Sequence, residues 1–361
     1  MIRLVLSAMA ILALLTVTRE ETRAQLRDVP IHDPVLAQAG GRFYLFGTGN
    51  GIRVWASEDL EGWWELDPVF PKAPSWVFEL LPRFRNEIWA PDIYEMDGTW
   101  YLYYSVSAFG RNNSAIGVAT NPSLDPTDPS FGWRDHGVVV QSVPGRDMWN
   151  AIDPHLVRDR EGTPWLSFGS HWGGIKLVKM DPSLTTIAEP QEWHTIAARH
   201  RYWKLDDRDA GDSANPELDY EALYPERILE MNRASENGAI EAPVIFWKDG
   251  YYYLFASWDR CCRGVESTYK VVVGRSRGIT GPYLDREGED MAFGGGTLVV
   301  QGFQESERWA AGGHNDTFTL DGTDYLVFHA YDATDDGNSK LLIRKIVWDP
   351  FGWPAVPVDG S

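Results

Sequence analysis

The chain has almost no cysteine. Cys261 and Cys262 are the only two, and as neighbours they cannot staple distant segments. They are either two ordinary buried thiols or a vicinal disulfide, which an oxidising compartment would permit. Basic charge is scarce as well. The 33 Lys and Arg stand against 52 Asp and Glu, a formal net charge of −19. That balance counts against nucleic acid or an anionic membrane as a partner and fits a neutral ligand. Long apolar runs are missing beyond Leu4–Val17, which follows Arg3 and is too short to span a bilayer comfortably. Residues 1–25 therefore read as a secretory signal. The expected mature protein is residues 26–361, soluble, monomeric, free of the membrane, and secreted or periplasmic. Apolar runs of helical period are scarce, while Gly, Trp and Tyr are abundant, so β structure is favoured.

What is present is a repeat. Glu241–Trp258 holds a carboxylate, an apolar strand, the Asp249-Gly250 turn and an aromatic strand. Pro243 argues against a helix there, and Asp-Gly between two apolar runs signals a hairpin. The pattern recurs from His32, Trp89, Ile152 and His314. The turn glycines Gly41, Gly98, Gly162, Gly250 and Gly322 are separated by 57, 64, 88 and 72 residues, too irregular for a solenoid. A third strand with its exit turn follows each hairpin, and Trp64–Phe70, Trp133–Gln141 and Thr297–Gln301 read as fourth strands. Four antiparallel strands repeated five times predict an all-β, five-bladed β-propeller in one domain. A two-sheet sandwich would not explain the recurrence. The longest gap contains Arg199–Met231, rich in Asp, Glu, Tyr and Arg, which reads as an inserted loop.

Counting back from the turn glycines places Asp33, Trp89, Asp153, Glu241 and His314 at the five repeat heads. First strands of a propeller line its axis, so these residues are expected to converge at one end of it. Taken singly, each has an ordinary explanation: Asp-Pro starts turns, a lone Trp is usually core, and a lone His is usually structural. Their joint occurrence points to chemistry. Three acids gathered without a basic cluster repel one another, so one pKa should rise. Such a set suits glycoside hydrolysis, with one acid protonating the leaving oxygen and another serving as base or nucleophile.

At these residues the chain resembles glycoside hydrolase family 43, and within it the endo-α-1,5-L-arabinanases. The motifs are IHDPV, EIWAPDI, NAIDPH, SFGSHWGGIKLV, GAIEAPVI, WDRCCRGVESTYKVVVGRS and GGHN, in family order over nearly the whole mature chain. The resemblance implies a five-bladed propeller that hydrolyses arabinan or arabino-oligosaccharides with inversion. It implies Asp33 as general base, Glu241 as general acid, and Asp153 as the acid that tunes and orients Glu241. It places Trp89, Asn150 and Ser170 in the sugar subsites. It also implies that His314 reaches a calcium ion in the central channel, and no organic cofactor. Two departures stand out: His171-Trp172-Gly173-Gly174 replaces a common aromatic-Trp-Ser-Gly pattern, and the 199–231 insertion would favour exo attack if it covered one end of the cleft. The alternatives are an exo-α-L-arabinofuranosidase or β-xylosidase of the same family, or a non-catalytic carbohydrate-binding propeller.

Overall fold

The computed structural model describes residues 26–199 and 239–359. The signal segment and nearly all of the 199–231 insertion lie outside the described residues. Five antiparallel hairpins appear where the repeats predicted them. They are Val35–Ala39 with Arg42–Gly47, Glu87–Met96 with Thr99–Val106, and His155–Arg158 with Pro164–Phe168. The last two are Ile240–Lys248 with Tyr251–Trp258, and Trp309–Leu320 with Thr323–Asp332. The tight turns follow from their residues. Asp249 and Gly250 have φ of 48° and 84°, the two positive values that a two-residue turn needs to match strand twist.

Each hairpin seeds a sheet, and aromatic and β-branched side chains pack the space between consecutive sheets. Tyr44, Val54, Leu102 and Tyr104 lie between the first and second, and Tyr103, Ile116, Leu166 and Val178 between the second and third. Leu177, Leu254 and Val272 follow, then Phe255, Val273, Leu326 and Phe328. Val327 meets Leu36, Leu45 and Trp55 to complete the circuit. The ring is latched by the start of the described chain: Leu341 N–H donates to the Val29 carbonyl at 3.0 Å, and Ile31 N–H to the Ser339 carbonyl at 3.3 Å.

The architecture is the expected all-β propeller, but the count of five four-stranded blades needs correction. The described strands form six sheets, of three, four or five strands. The extra sheet joins Val300–Gln301, Pro354–Pro357 and Val347–Trp348. Its origin lies in a segment predicted as one fourth strand, Thr297–Gln301. Thr297 and Leu298 pair with Val273 and Val272, whereas Val300 and Gln301 pair with the C-terminal strand. Val299 is the crossing point, its N–H bonded to the Val271 carbonyl and its carbonyl accepting from Val356 N–H. No hairpin signal marks this sheet, because its strands come from distant parts of the chain. The second sheet gains a fifth strand, Gly49–Asn50.

Candidate active site

The repeat heads share a backbone device. Asp33, Ala90, Asp153, Ala242 and His314 all have left-handed φ, at 53°, 44°, 59°, 54° and 51°. Non-glycine residues rarely hold this conformation unless their surroundings impose it. The surroundings do so through the amides. Ala90 N–H donates to Thr48 Oγ1, Asp153 N–H to Ser105 Oγ, His314 N–H to Ser257 Oγ and Asp33 N–H to His329 Nδ1. In each case the acceptor lies at the end of the preceding repeat's aromatic strand. The third repeat carries Gly169 there, opposite Ile152, and has no side chain to offer. Asp153 fills the role: its Oδ2 accepts from Ala242 N–H at 3.2 Å.

This ring refines the alignment of the heads. Asp33, Asp153 and His314 occupy the left-handed position itself, while Glu241 and Trp89 come one residue earlier, before Ala242 and Ala90. All five nevertheless line one cleft of about 1340 Å³, together with Asn150 and Ser170. The structure thus brings together every residue singled out from the sequence.

Asp33 sits in the densest network. Its Oδ1 is 2.7 Å from His32 Nδ1 and 3.0 Å from His314 Nδ1, and Thr48 Oγ1 donates to its Oδ2 at 2.5 Å. Burial would raise its pKa, but the charges on His314 and His32 hold the carboxyl well below its usual range. Asp153 goes the other way. Burial first, then the negative charges of Glu241 and Asp33, push it well above that range, outweighing the opposing His314 charge. The expected rise therefore falls on Asp153. His314 is raised to about 9: burial works against its charge, and Asp33, then Asp153 and Glu241, overcome it. Glu241 receives a hydrogen bond from Ser170 Oγ at 2.7 Å, with His171 Nδ1 3.6 Å away. Ser170 thus serves Glu241 directly. Asn150 is buried, and its Oδ1 accepts from Ser114 Oγ at 2.6 Å.

The sequence reading missed Thr48, His329 and Tyr331, gave His32 no role of its own, and read His171 as a departure from the family pattern rather than as a neighbour of Glu241. A signal existed for some of them. His32 and His171 stand inside the motifs IHDPV and SFGSHWGG, and Thr48, Ser105, Ser257 and His329 recur at the ends of the aromatic strands.

Cation-ligand geometry is less simple than expected. Among the described residues, the one group of three His, Cys, Asp or Glu side chains close enough to share an ion is His32, Asp33 and His329, without His314. A separate pocket of about 20 Å³ is lined by Asp92, Asp153, His314, Asn315 and Asp316. Both amide atoms of buried Asn315 lack a hydrogen-bond partner among the described residues. A pocket of this size holds one water or ion, and its oxygen-rich lining suits a hard cation.

Acids driven to opposite proton affinities in one cleft of a propeller suit a glycoside hydrolase. The sequence profile of glycosyl hydrolases family 43 matches residues 28–354, and the chain belongs to that family. An extracellular exo-α-(1→5)-L-arabinofuranosidase of Cellvibrio japonicus is 48% identical over 330 residues, 91% of this chain and 87% of the relative. An extracellular endo-α-(1→5)-L-arabinanase of Bacillus subtilis is 40% identical over 329 residues, 90% of this chain and 87% of that protein. Among solved structures, the Cellvibrio cellulosa α-L-arabinanase complexed with arabinohexaose superposes with a TM-score of 0.80 at 47% identity. That match covers 91% of this chain and 96% of the other.

Proposed function

We propose that this chain is an extracytoplasmic hydrolase of α-1,5-L-arabinan that acts with inversion and cleaves within the polymer. The observation that carries the chemistry is the split between Asp33, whose carboxyl two imidazoles hold well below its usual range, and Asp153, pushed well above it beside Glu241. Asp33 takes a proton from water as the water oxygen bonds to the anomeric carbon. Glu241 gives its proton to the glycosidic oxygen as the bond from that carbon breaks. Asp153 fixes the backbone behind Glu241 through Ala242 and supplies a proton reserve beside it. Trp89 offers an aromatic face to the sugar, with Asn150 as a polar subsite neighbour. Ser170 acts on the sugar indirectly, by orienting Glu241.

A calcium ion is part of this reading. His314, neutral in that state, and Asn315 would hold it, and the ion's charge would take the place of the imidazolium's as the positive centre near the three acids. The names of the relatives support arabinan as substrate and an extracytoplasmic location. Exo action is the second reading, favoured by the Cellvibrio relative's name. A time course on debranched arabinan separates the two: early release of mixed oligomers supports endo cleavage, and a single short product from the first minutes supports exo. Proton NMR of the first-formed sugar reads the stereochemistry, with the β-anomer expected; α-anomer first would refute inversion.

A further inference from the structure

Cys261 and Cys262 play no part in the chemistry above, yet they are bonded to each other and line the same cleft as Asp33. Cys262 has a left-handed φ of 66°. In this conformation its amide N–H donates to Tyr331 Oη at 2.7 Å. Tyr331 is 3% exposed, and this contact is one of three that hold its hydroxyl in place. The hydroxyl lies 3.0 Å from His32 Nε2 and 3.3 Å from His329 Nε2. Cys262 Sγ is 3.8 Å from the same His32 nitrogen. When His32 is neutral and Tyr331 donates to its Nε2, the ring hydrogen must reside on His32 Nδ1, which faces Asp33 Oδ1 at 2.7 Å. One line of donors then runs from Cys262 N–H through Tyr331 and His32 to Asp33.

We propose that the Cys261–Cys262 disulfide is a positioning element for the catalytic base. It holds the turn at Cys262 and, through Tyr331 and His32, aims the Asp33 carboxylate. This rests on the reading of Asp33 as base. A bond between adjacent residues closes no chain loop of consequence, so the global fold does not depend on it. Its effect is local: a non-glycine residue leaves the left-handed region readily once nothing holds it there. Misplacing a catalytic group by a fraction of an ångström slows turnover more than it weakens substrate binding.

The test uses the full chain, linear arabino-oligosaccharide and dithiothreitol. The dithiol passes two electrons and two protons to the pair, leaving two cysteine thiols and its own cyclic disulfide. Mass spectrometry confirms the reduction, and circular dichroism confirms the fold. Reduction of the wild type should lower kcat about tenfold while KM stays within about twofold, and reoxidation should restore kcat. In Tyr331→Phe, where the route is already cut, reduction should change kcat by less than about twofold. The double variant Cys261→Ser/Cys262→Ser should match the reduced wild type and ignore the reductant. Full kcat in the reduced wild type or in the double variant would overturn the proposal, as would an equal loss on reduction in Tyr331→Phe. Asp33→Ala keeps the two readings apart. If it still turns over, the base assignment falls; if it is dead while reduction is harmless, only the positioning role falls.

Discussion

The Asp33 and Glu241 heads come from the same kind of repeat and are built in opposite ways. Asp33 is held by two imidazole nitrogens and a hydroxyl, with a third histidine accepting from its own amide. Glu241 has a serine hydroxyl, a more distant imidazole and a raised carboxyl in Asp153 behind it. A carboxylate surrounded by donors and positive charge is kept ionised and fixed, as a base must be. A carboxyl beside a neighbour of raised proton affinity, with a short neutral contact, is suited to passing a proton outward. The proposed labels of base for Asp33 and acid for Glu241 each find a physical cause in these surroundings.

The comparison breaks most completely when one end is removed. Asp33→Ala and Glu241→Ala should each abolish hydrolysis of arabinan while circular dichroism and thermal unfolding stay near wild type. Near-wild-type turnover in either variant would remove that residue from the mechanism. At Asp153 the two roles can be pulled apart. Asp153→Asn keeps an oxygen to accept from Ala242 N–H but removes the exchangeable proton, so kcat should fall about 10²-fold with little loss of stability. Asp153→Ala also strands that amide and should cost about 1–3 kcal/mol in urea unfolding. Equal stability of the two variants would remove the structural half of the role.

Smaller effects test the supports. Thr48→Val deletes the hydroxyl that donates to Asp33 and accepts from Ala90 N–H. It should lower kcat about tenfold and destabilise by roughly 1–3 kcal/mol, read from steady-state kinetics and urea unfolding. Ser170→Ala, at the other head, should affect kcat on arabinan and leave the Asp33 side intact. Chelation is expected to act most mildly. Removing the proposed calcium with a chelator should lower the melting temperature, by roughly 1–2 °C per kcal/mol for a chain of this size, and calcium should restore it. His314→Ala should no longer respond to either treatment.

Much of the fold was legible because a hairpin leaves a local trace: an Asp-Gly turn, an apolar run before it and an aromatic run after it. The heads were legible because each stands eight or nine residues before its turn glycine. The sixth sheet was not, since Val300–Gln301 and Pro354–Pro357 meet only through the tertiary fold. The one-residue offset of Glu241 and Trp89 was also hidden, because counting residues does not reveal which one turns left-handed. Gly169 shows why the network around the acids escaped notice. A missing side chain in one repeat shifts a structural duty onto Asp153, and no pattern in the residues near Asp153 records that.

The division of labour between the two heads is tested most directly by a substrate that needs no proton on its leaving group. A 2,4-dinitrophenyl glycoside of α-1,5-arabinotriose releases a stable anion, so the missing acid matters little and the missing base matters fully. Glu241→Ala should recover most of its lost kcat on this substrate relative to arabinan, while Asp33→Ala should stay down by a factor on the order of 10²–10⁴ on both. Recovery in Asp33→Ala with none in Glu241→Ala would reverse the assignment and contradict the account.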